Sequence, residues 1–252
     1  ALQAADRLVL ERFVSLEELG LYNFGYTLGM AMSFLVTGIN QAWAPYYYRL
    51  MENRAHPEKR IVQVVSIYVA VMGLICLFGI LFVAEAVRVI LPPSYYGVVP
   101  YVAPVLLGYL MQGFYFFAGQ PFFYHNKTKF LPALTVTAGA INIGLNLWLV
   151  PRYGAVASAW ITTATYGLLF AIVFVAGRRY QKVGYPLRRY GPVVFLVAAC
   201  ALASRFWARI TFVSVLGKIL VVTCYGVTAY VLLLKPNLEK AWKQLVSLDG
   251  DR

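Results

Sequence analysis

The sequence predicts an all-α protein, a polytopic transmembrane helix bundle with one truncated span and seven full spans. The main observation is a series of long apolar stretches separated by short loops, in a chain that is 61% hydrophobic and 13% charged. Most stretches are long enough, at about 1.5 Å per residue, to cross the roughly 30 Å hydrocarbon core of a bilayer. They are apolar nearly all round, whereas a helix of a soluble protein needs only an apolar stripe. The seven stretches are residues 19–43, 61–84, 98–123, 130–150, 154–177, 190–207 and 211–234.

The loops between these stretches alternate between Lys/Arg-rich and Lys/Arg-poor. The rich loops follow the first, third, fifth and seventh stretches, and the poor side holds only Arg7, Arg12, Arg88, Arg152, Arg205 and Arg209. Because Lys and Arg concentrate on the cytoplasmic side, the first full span is predicted to run from outside to inside, and the C-terminus is predicted to be cytoplasmic. The net charge of +12 is then explained by membrane topology and by contact with anionic membrane lipids, so we expect no nucleic-acid partner.

Residues 1–14 resemble the outer end of a helix that is already under way. We therefore expect the chain to be the C-terminal portion of a longer protein, with residues 1–252 forming one transmembrane domain and an N-terminal lobe missing from it. No phosphate-binding glycine loop, zinc-protease motif or nucleophile elbow occurs. We accordingly expect no enzyme activity, catalytic residue, cofactor or metal site.

Polar side chains inside the apolar stretches are the candidate functional residues. In the fourth stretch, Thr135, Gly139, Asn142 and Asn146 share one helical face. Lipid cannot satisfy an amide, so this face is predicted to point into the bundle, either bonding other helices or lining a hydrated cavity.

Glutamines extend this theme to two other stretches. Gln112 in the third stretch and Gln41 near the inner end of the first are candidate polar liners of a pathway. The pair Gly25 and Gly29, by contrast, is interpreted as a small-residue surface for close helix packing.

Three charged residues lie within or near the membrane. Lys218 is about two turns into the last stretch, where it could either extend outward along its stem or face a cavity. Asp6 and Arg7 lie in the truncated helix, where they either form a shallow local ion pair, which for Arg7 could also involve Glu11, or mark an ion or substrate pathway.

Several segments resemble hallmarks of bacterial polysaccharide flippases. Residues 5–13 (ADRLVLERF) followed by 18–22 (ELGLY) are similar to that family's "DR-x-x-L" helix end and "L-G-x-Y" helix start. Residues 43–45 (WAP) close the same span. Residues 142–155 (NIGLNLWLVPRYGA), followed by 158–160 (SAW), are similar to an "N-x-x-L-N-x-x-L-I-P-x-x-G" junction. On these motifs the chain resembles the O-antigen and exopolysaccharide translocases of the multidrug/oligosaccharidyl-lipid/polysaccharide exporter superfamily.

The resemblance implies the second lobe of a two-lobe transporter that works by alternating access. It implies a lipid-linked oligosaccharide as substrate, carried on polyprenyl pyrophosphate and flipped across the bacterial cytoplasmic membrane, with other polysaccharide-assembly proteins as further partners. In that interpretation Arg7 and Lys218 are candidate cations for the pyrophosphate, and Asp6 is a candidate ion-coupling group. Gln41, Gln112, Asn142 and Asn146 are then candidate polar liners.

Two alternatives remain open at the level of sequence. A membrane-embedded glycosyl transferase or polysaccharide polymerase would act on the same lipid-linked sugars, but it generally needs a sizeable outer loop, and the outer loops here are short. A drug or cation exporter of the same superfamily would favour an acidic cavity, against which the basic candidates argue.

Overall fold

The computed structural model describes residues 2–53, 57–204 and 212–236, and this part of the chain consists of helices joined by short turns and loops, with no β-strand. Helix α1 is followed by six helices of 16 to 38 residues and a last helix that continues into one π-helical turn. The helices are α1 (Leu2–Phe13), α2 (Leu16–Asn53), α3 (Pro57–Ile90), α4 (Val99–Tyr124), α5 (Phe130–Tyr153), α6 (Ala155–Gly177), α7 (Leu187–Leu202) and α8 (Phe212–Ala229). A 3₁₀ turn at Pro93–Val98 precedes α4, and the π-helical turn is Tyr230–Leu234.

Six helices of the described part are long and apolar enough to cross a membrane, which confirms the helical class and the multi-pass character. The remaining predicted stretch, 190–207, corresponds to α7, whose 16 residues span about 24 Å. Residues 205–207 lie outside the described part, so the count of seven full spans stays a prediction. Two helices run past their predicted ends, α2 to Asn53 and α3 to Ile90, because a helix can continue into the polar headgroup region where hydropathy falls.

Helix α4 lies at the centre and packs against α2, α3, α6 and α7. Its contact with α2 depends on Gly25 and Gly29, the pair for which close packing was predicted. A Cβ on Gly25 would lie 2.8 Å from Tyr101 Cβ, and one on Gly29 would lie 2.3 Å from Val105 Cγ1. These distances leave no room for a side chain, so the close-packing interpretation of the two glycines is confirmed. Large apolar side chains such as Phe34 lie exposed on the outside, where a bilayer would cover them.

Loops assigned to the same side of the membrane lie together. At one end, Tyr47 of α2 donates a hydrogen bond to Gln181 of the α6–α7 loop, and the rings of Tyr48 and Tyr124 lie 5.6 Å apart. At the other end, the Ala155 N–H donates to Glu18 Oε1 over 2.7 Å, so the start of α2 lies beside the start of α6. The grouping of helix ends thus agrees with the alternation of charged loops.

Candidate functional site

A buried carboxylate, Asp6, lies where α1 meets α2, α5 and α6. The side chain is 0% exposed. Thr162 Oγ1 donates to Asp6 Oδ2 over 2.6 Å, Asn146 Nδ2 donates to Oδ1 over 3.2 Å, and Tyr22 Oη donates to Oδ2 over 3.4 Å. Three other helices therefore each contribute a hydrogen-bond donor to one carboxylate.

The amides of α5 extend this cluster along α6. Asn142 Nδ2 donates to the hydroxyl oxygens of Thr162 and Thr165 over 3.3 and 3.2 Å. Asn146 Nδ2 also donates to the backbone oxygen and Oδ1 of Asn142, over 2.9 and 3.1 Å. Both amides are fully buried, so the prediction that they face the interior of the bundle is confirmed. We call Asp6, Tyr22, Asn142, Asn146, Ser158, Thr162 and Thr165 the Asp6 cluster.

The sequence builds this cluster through helical spacing. Asn142 and Asn146 are one turn apart on α5, and Ser158, Thr162 and Thr165 occupy one face of α6. The Tyr22 hydroxyl lies 3.4 Å from Ser158 Oγ, which joins α2 to that face. Thr135, which shares the predicted polar face of α5, does not reach the cluster, because its exposed side chain donates to the Leu131 carbonyl one turn earlier.

A turn at Gly154 sets the start of α6. Gly154 has φ of 69°, and a Cβ there would lie 2.6 Å from Glu18 Oε1. Glycine adopts this backbone conformation without penalty and leaves room for the Glu18 carboxylate. That carboxylate accepts the Ala155 N–H at the N-terminus of α6, where the helix dipole favours negative charge. The contact fixes α2 against the first turns of α6, which carry Ser158 and Thr162.

The Asp6 carboxylate has no positively charged partner among the described residues. Within the described residues, no Lys, Arg or His forms an ion pair with Asp6. Asn146 Oδ1 is also buried and has no hydrogen-bond partner there. A buried carboxylate whose neighbours are neutral hydroxyl and amide groups is chemically suited to hold a proton or a small hard cation. The described residues contain no group of three His, Cys, Asp or Glu side chains that could hold a metal ion.

Arg7, the neighbour of Asp6, lies on the outside of α1. Its side chain is exposed and forms no ion pair with Asp6 or Glu11 within the described part of the chain. The local ion pair considered from the sequence is therefore absent from the structure. Consecutive residues on a helix point about 100° apart, which places Asp6 inside the bundle and Arg7 on its surface.

Lys218 lies far from this cluster in the fold. Its ammonium is 0% exposed and pairs with Glu85 of α3, whose side chain is 20% exposed. Neither sequence interpretation described this pair, and a role for Lys218 in a substrate or ion pathway stays a prediction.

The two glutamines lie apart from the cluster as well. Gln112 of α4 is half-buried, and its Nε2 donates to the Tyr166 hydroxyl over 3.0 Å. Gln41 is exposed on α2, while its neighbour Asn40 accepts a hydrogen bond from Gln120 Nε2 over 3.3 Å. Roles for these two residues in a pathway stay predictions.

Sequence reasoning missed five residues of these sites: Tyr22, Ser158, Thr162 and Thr165 in the Asp6 cluster, and Glu85 as the partner of Lys218. Thr162 and Thr165 carry a signal, because with Ser158 they recur on one face of an apolar helix. Glu85 carries one too, since charged residues inside membrane segments often pair with one another. For Tyr22 the sequence gives no such signal apart from its place in the "L-G-x-Y" segment.

None of the protein-family models, curated proteins or solved structures compared with this chain matches it.

Proposed function

We propose that this chain is the C-terminal lobe of a bacterial polysaccharide flippase. The complete transporter would move oligosaccharides on polyprenyl pyrophosphate from the cytoplasmic to the outer leaflet of the cytoplasmic membrane, for surface polysaccharide biosynthesis. The chain would act with a first lobe and with other proteins of polysaccharide assembly, and its C-terminus would be cytoplasmic.

The observation that carries this proposal is the meeting of separate motif residues at one carboxylate. Asp6 belongs to the "DR-x-x-L" segment, Tyr22 to the "L-G-x-Y" segment, and Asn142 and Asn146 to the junction before α6. These residues come from three helices, and the Asn146 amide and the Tyr22 hydroxyl both donate to Asp6. A polar cluster made of the residues that carry the resemblance supports the assignment more strongly than any one motif.

The Asp6 cluster also supports an ion-driven mechanism. This sequence contains no nucleotide-binding loop, and we infer that the energy for transport comes from an ion gradient, the membrane potential or the substrate gradient. Binding of a proton or small cation at Asp6 would change how α1 is held against α5 and α6, and an ion shifts such an equilibrium only by binding the two states with different affinity. Because Arg7 is the next residue on α1, a movement of α1 at Asp6 would also move this surface cation. Arg7 is suited to a pyrophosphate, since a guanidinium can grip phosphate oxygens in pairs.

The test is a transport assay with the full-length protein in lipid vesicles. A fluorescent oligosaccharide on a short polyprenyl pyrophosphate would be added to the vesicles, and its exposure to an impermeant quencher would be followed. We expect the fraction of labelled oligosaccharide that is protected from the quencher to change, while the mass of the lipid-linked sugar stays constant. A change in mass without movement between leaflets would contradict the proposal and favour the glycosyl transferase or polymerase alternative.

One observation favours a second candidate, an exporter of organic cations from the same superfamily. Lys218 is neutralised by Glu85, whereas the Asp6 carboxylate has no cationic partner within the described residues. The buried charge left uncompensated in this part of the chain is therefore acidic. Vesicles that accumulate a cationic dye through the protein, but leave the lipid-linked sugar in place, would support this candidate instead.

A further inference from the structure

The last helix, α8, carries a buried lysine in a segment that is otherwise apolar. The segment Val215–Leu234 is long and apolar enough to span a membrane, and only 17% of an 18-residue window within it is buried inside the bundle. Lys218 lies within this segment, yet its side chain is completely buried. Exposed neighbours such as Leu216, Ile219 and Leu220 surround it on the outer face of α8.

The burial of Lys218 has a specific cause on α3. Its ammonium pairs with Glu85 Oε1, a residue 133 positions earlier in the chain. It also lies 5.9 Å from the centre of the Phe82 ring, one turn before Glu85 on α3. The opposite charge and the ring face are both favourable for an ammonium that has been removed from water.

A second polar contact joins the same two helices. The Tyr225 hydroxyl donates to the backbone oxygens of Val69 and Ala70 of α3, over 2.9 and 3.1 Å. A Cβ on Gly73 would lie 2.0 Å from this hydroxyl, so the missing side chain leaves the space for it. Helix α8 is thus held to α3 by polar contacts, while much of its surface is left for lipid.

We propose that insertion of α8 into the bilayer depends on the ion pair between Lys218 and Glu85. Helix α8 then inserts only when it packs against α3. An unpaired lysine at the centre of a membrane helix disfavours insertion on the order of 100-fold, which is an upper limit for Lys218 near the start of α8. Pairing with Glu85 removes this barrier by neutralising both charges within the bundle. The inference is independent of the transported substrate.

The experiment places a reporter pair at the C-terminus of the full chain. One reporter fluoresces only in the cytoplasm and the other, a phosphatase, is active only outside. With α8 inserted the C-terminus is predicted to be inside, and without it the C-terminus stays outside. Glu85→Gln should shift the inside-to-outside ratio by up to about 100-fold. Glu58→Gln, at the other end of α3, is the matched control and should leave the ratio unchanged.

A double variant separates charge pairing from general damage. Adding Lys218→Met to Glu85→Gln should restore the wild-type ratio, because the unpaired ammonium is gone. Measuring newly synthesised, pulse-labelled chains keeps the result readable if a variant is later degraded. The proposal is overturned if Glu85→Gln behaves like Glu58→Gln, or if the double variant remains as defective as Glu85→Gln.

Discussion

Replacing Thr162 by Val should destabilise the bundle through the Asp6 cluster without opening a cavity. Valine has nearly the volume of threonine, so the change removes a hydroxyl and little packing. That hydroxyl makes the shortest contact with Asp6, at 2.6 Å, and accepts from Asn142 Nδ2 over 3.3 Å. Asn142 keeps its bond to Thr165, and Asp6 keeps the longer bonds from Asn146 and Tyr22.

The magnitude follows from two limits. A hydrogen bond to a charged group contributes about 1.5–3 kcal/mol in soluble proteins. Polar contacts between membrane helices average about 0.6 kcal/mol and reach about 1.7, because helices that have separated in the membrane find other partners. The short distance and full burial place Thr162 at the upper end of the membrane range, so Thr162→Val should lower the free energy of unfolding by about 1–2 kcal/mol.

Detergent-induced unfolding of the purified full-length protein in mixed micelles measures this change. Thr137→Val is the matched control, because the Thr137 hydroxyl donates only to the Ala133 carbonyl of its own helix, and its effect should stay within about 0.5 kcal/mol. Thr162→Ser, which keeps the hydroxyl, should retain most of the stability. If Thr162→Val and Thr137→Val have the same free energy of unfolding, the Thr162 hydroxyl does not stabilise the fold through Asp6, and the reasoning fails.

Three further predictions follow. Gly29→Ala should lower the free energy of unfolding by about 1–3 kcal/mol in the same assay, because the added Cβ would overlap Val105. Adding Val105→Ala should recover part of this loss, and an unchanged stability of Gly29→Ala would contradict the close contact. Arg7→Ala should abolish polysaccharide export in cells while protein level and insertion stay normal, and Arg7→Lys should restore part of it; normal export by Arg7→Ala would remove Arg7 from the pathway. An introduced cysteine near residue 95 should react with an impermeant reagent added outside intact cells, and one near residue 56 should not, with the reverse pattern inverting the topology.

The sequence predicted the helices well because the bilayer imposes a simple rule. Backbone polar groups must be satisfied within the helix, so each span appears as a long apolar stretch. Helix ends were less predictable, since α3 continues to Ile90 through Glu85 and Arg88, which hydropathy assigns to a loop. In the structure Glu85 is still part of helix α3, where its partly exposed side chain pairs with the buried Lys218.

The candidate site was predictable only within single helices. The spacing of Asn142 and Asn146 is local, so their shared inward face could be inferred directly. The partner of Asp6 could not be inferred this way, because Thr162 lies 156 positions away and the contact depends on how α1 packs against α6. The exposed position of Arg7 likewise follows from which side of α1 meets α5 and α6.

The central claim, that the Asp6 cluster couples an ion gradient to movement of a lipid-linked oligosaccharide, is tested by imposing gradients in the vesicle assay. The full-length wild-type protein and its Asp6→Asn variant would be compared under a sodium gradient, under a pH gradient and with neither. The account predicts that one of the two gradients accelerates flipping by the wild-type protein, and that Asp6→Asn, inserted and folded normally, no longer responds to it. Equal acceleration of both proteins, or flipping by the wild-type protein that ignores both gradients, would contradict the account.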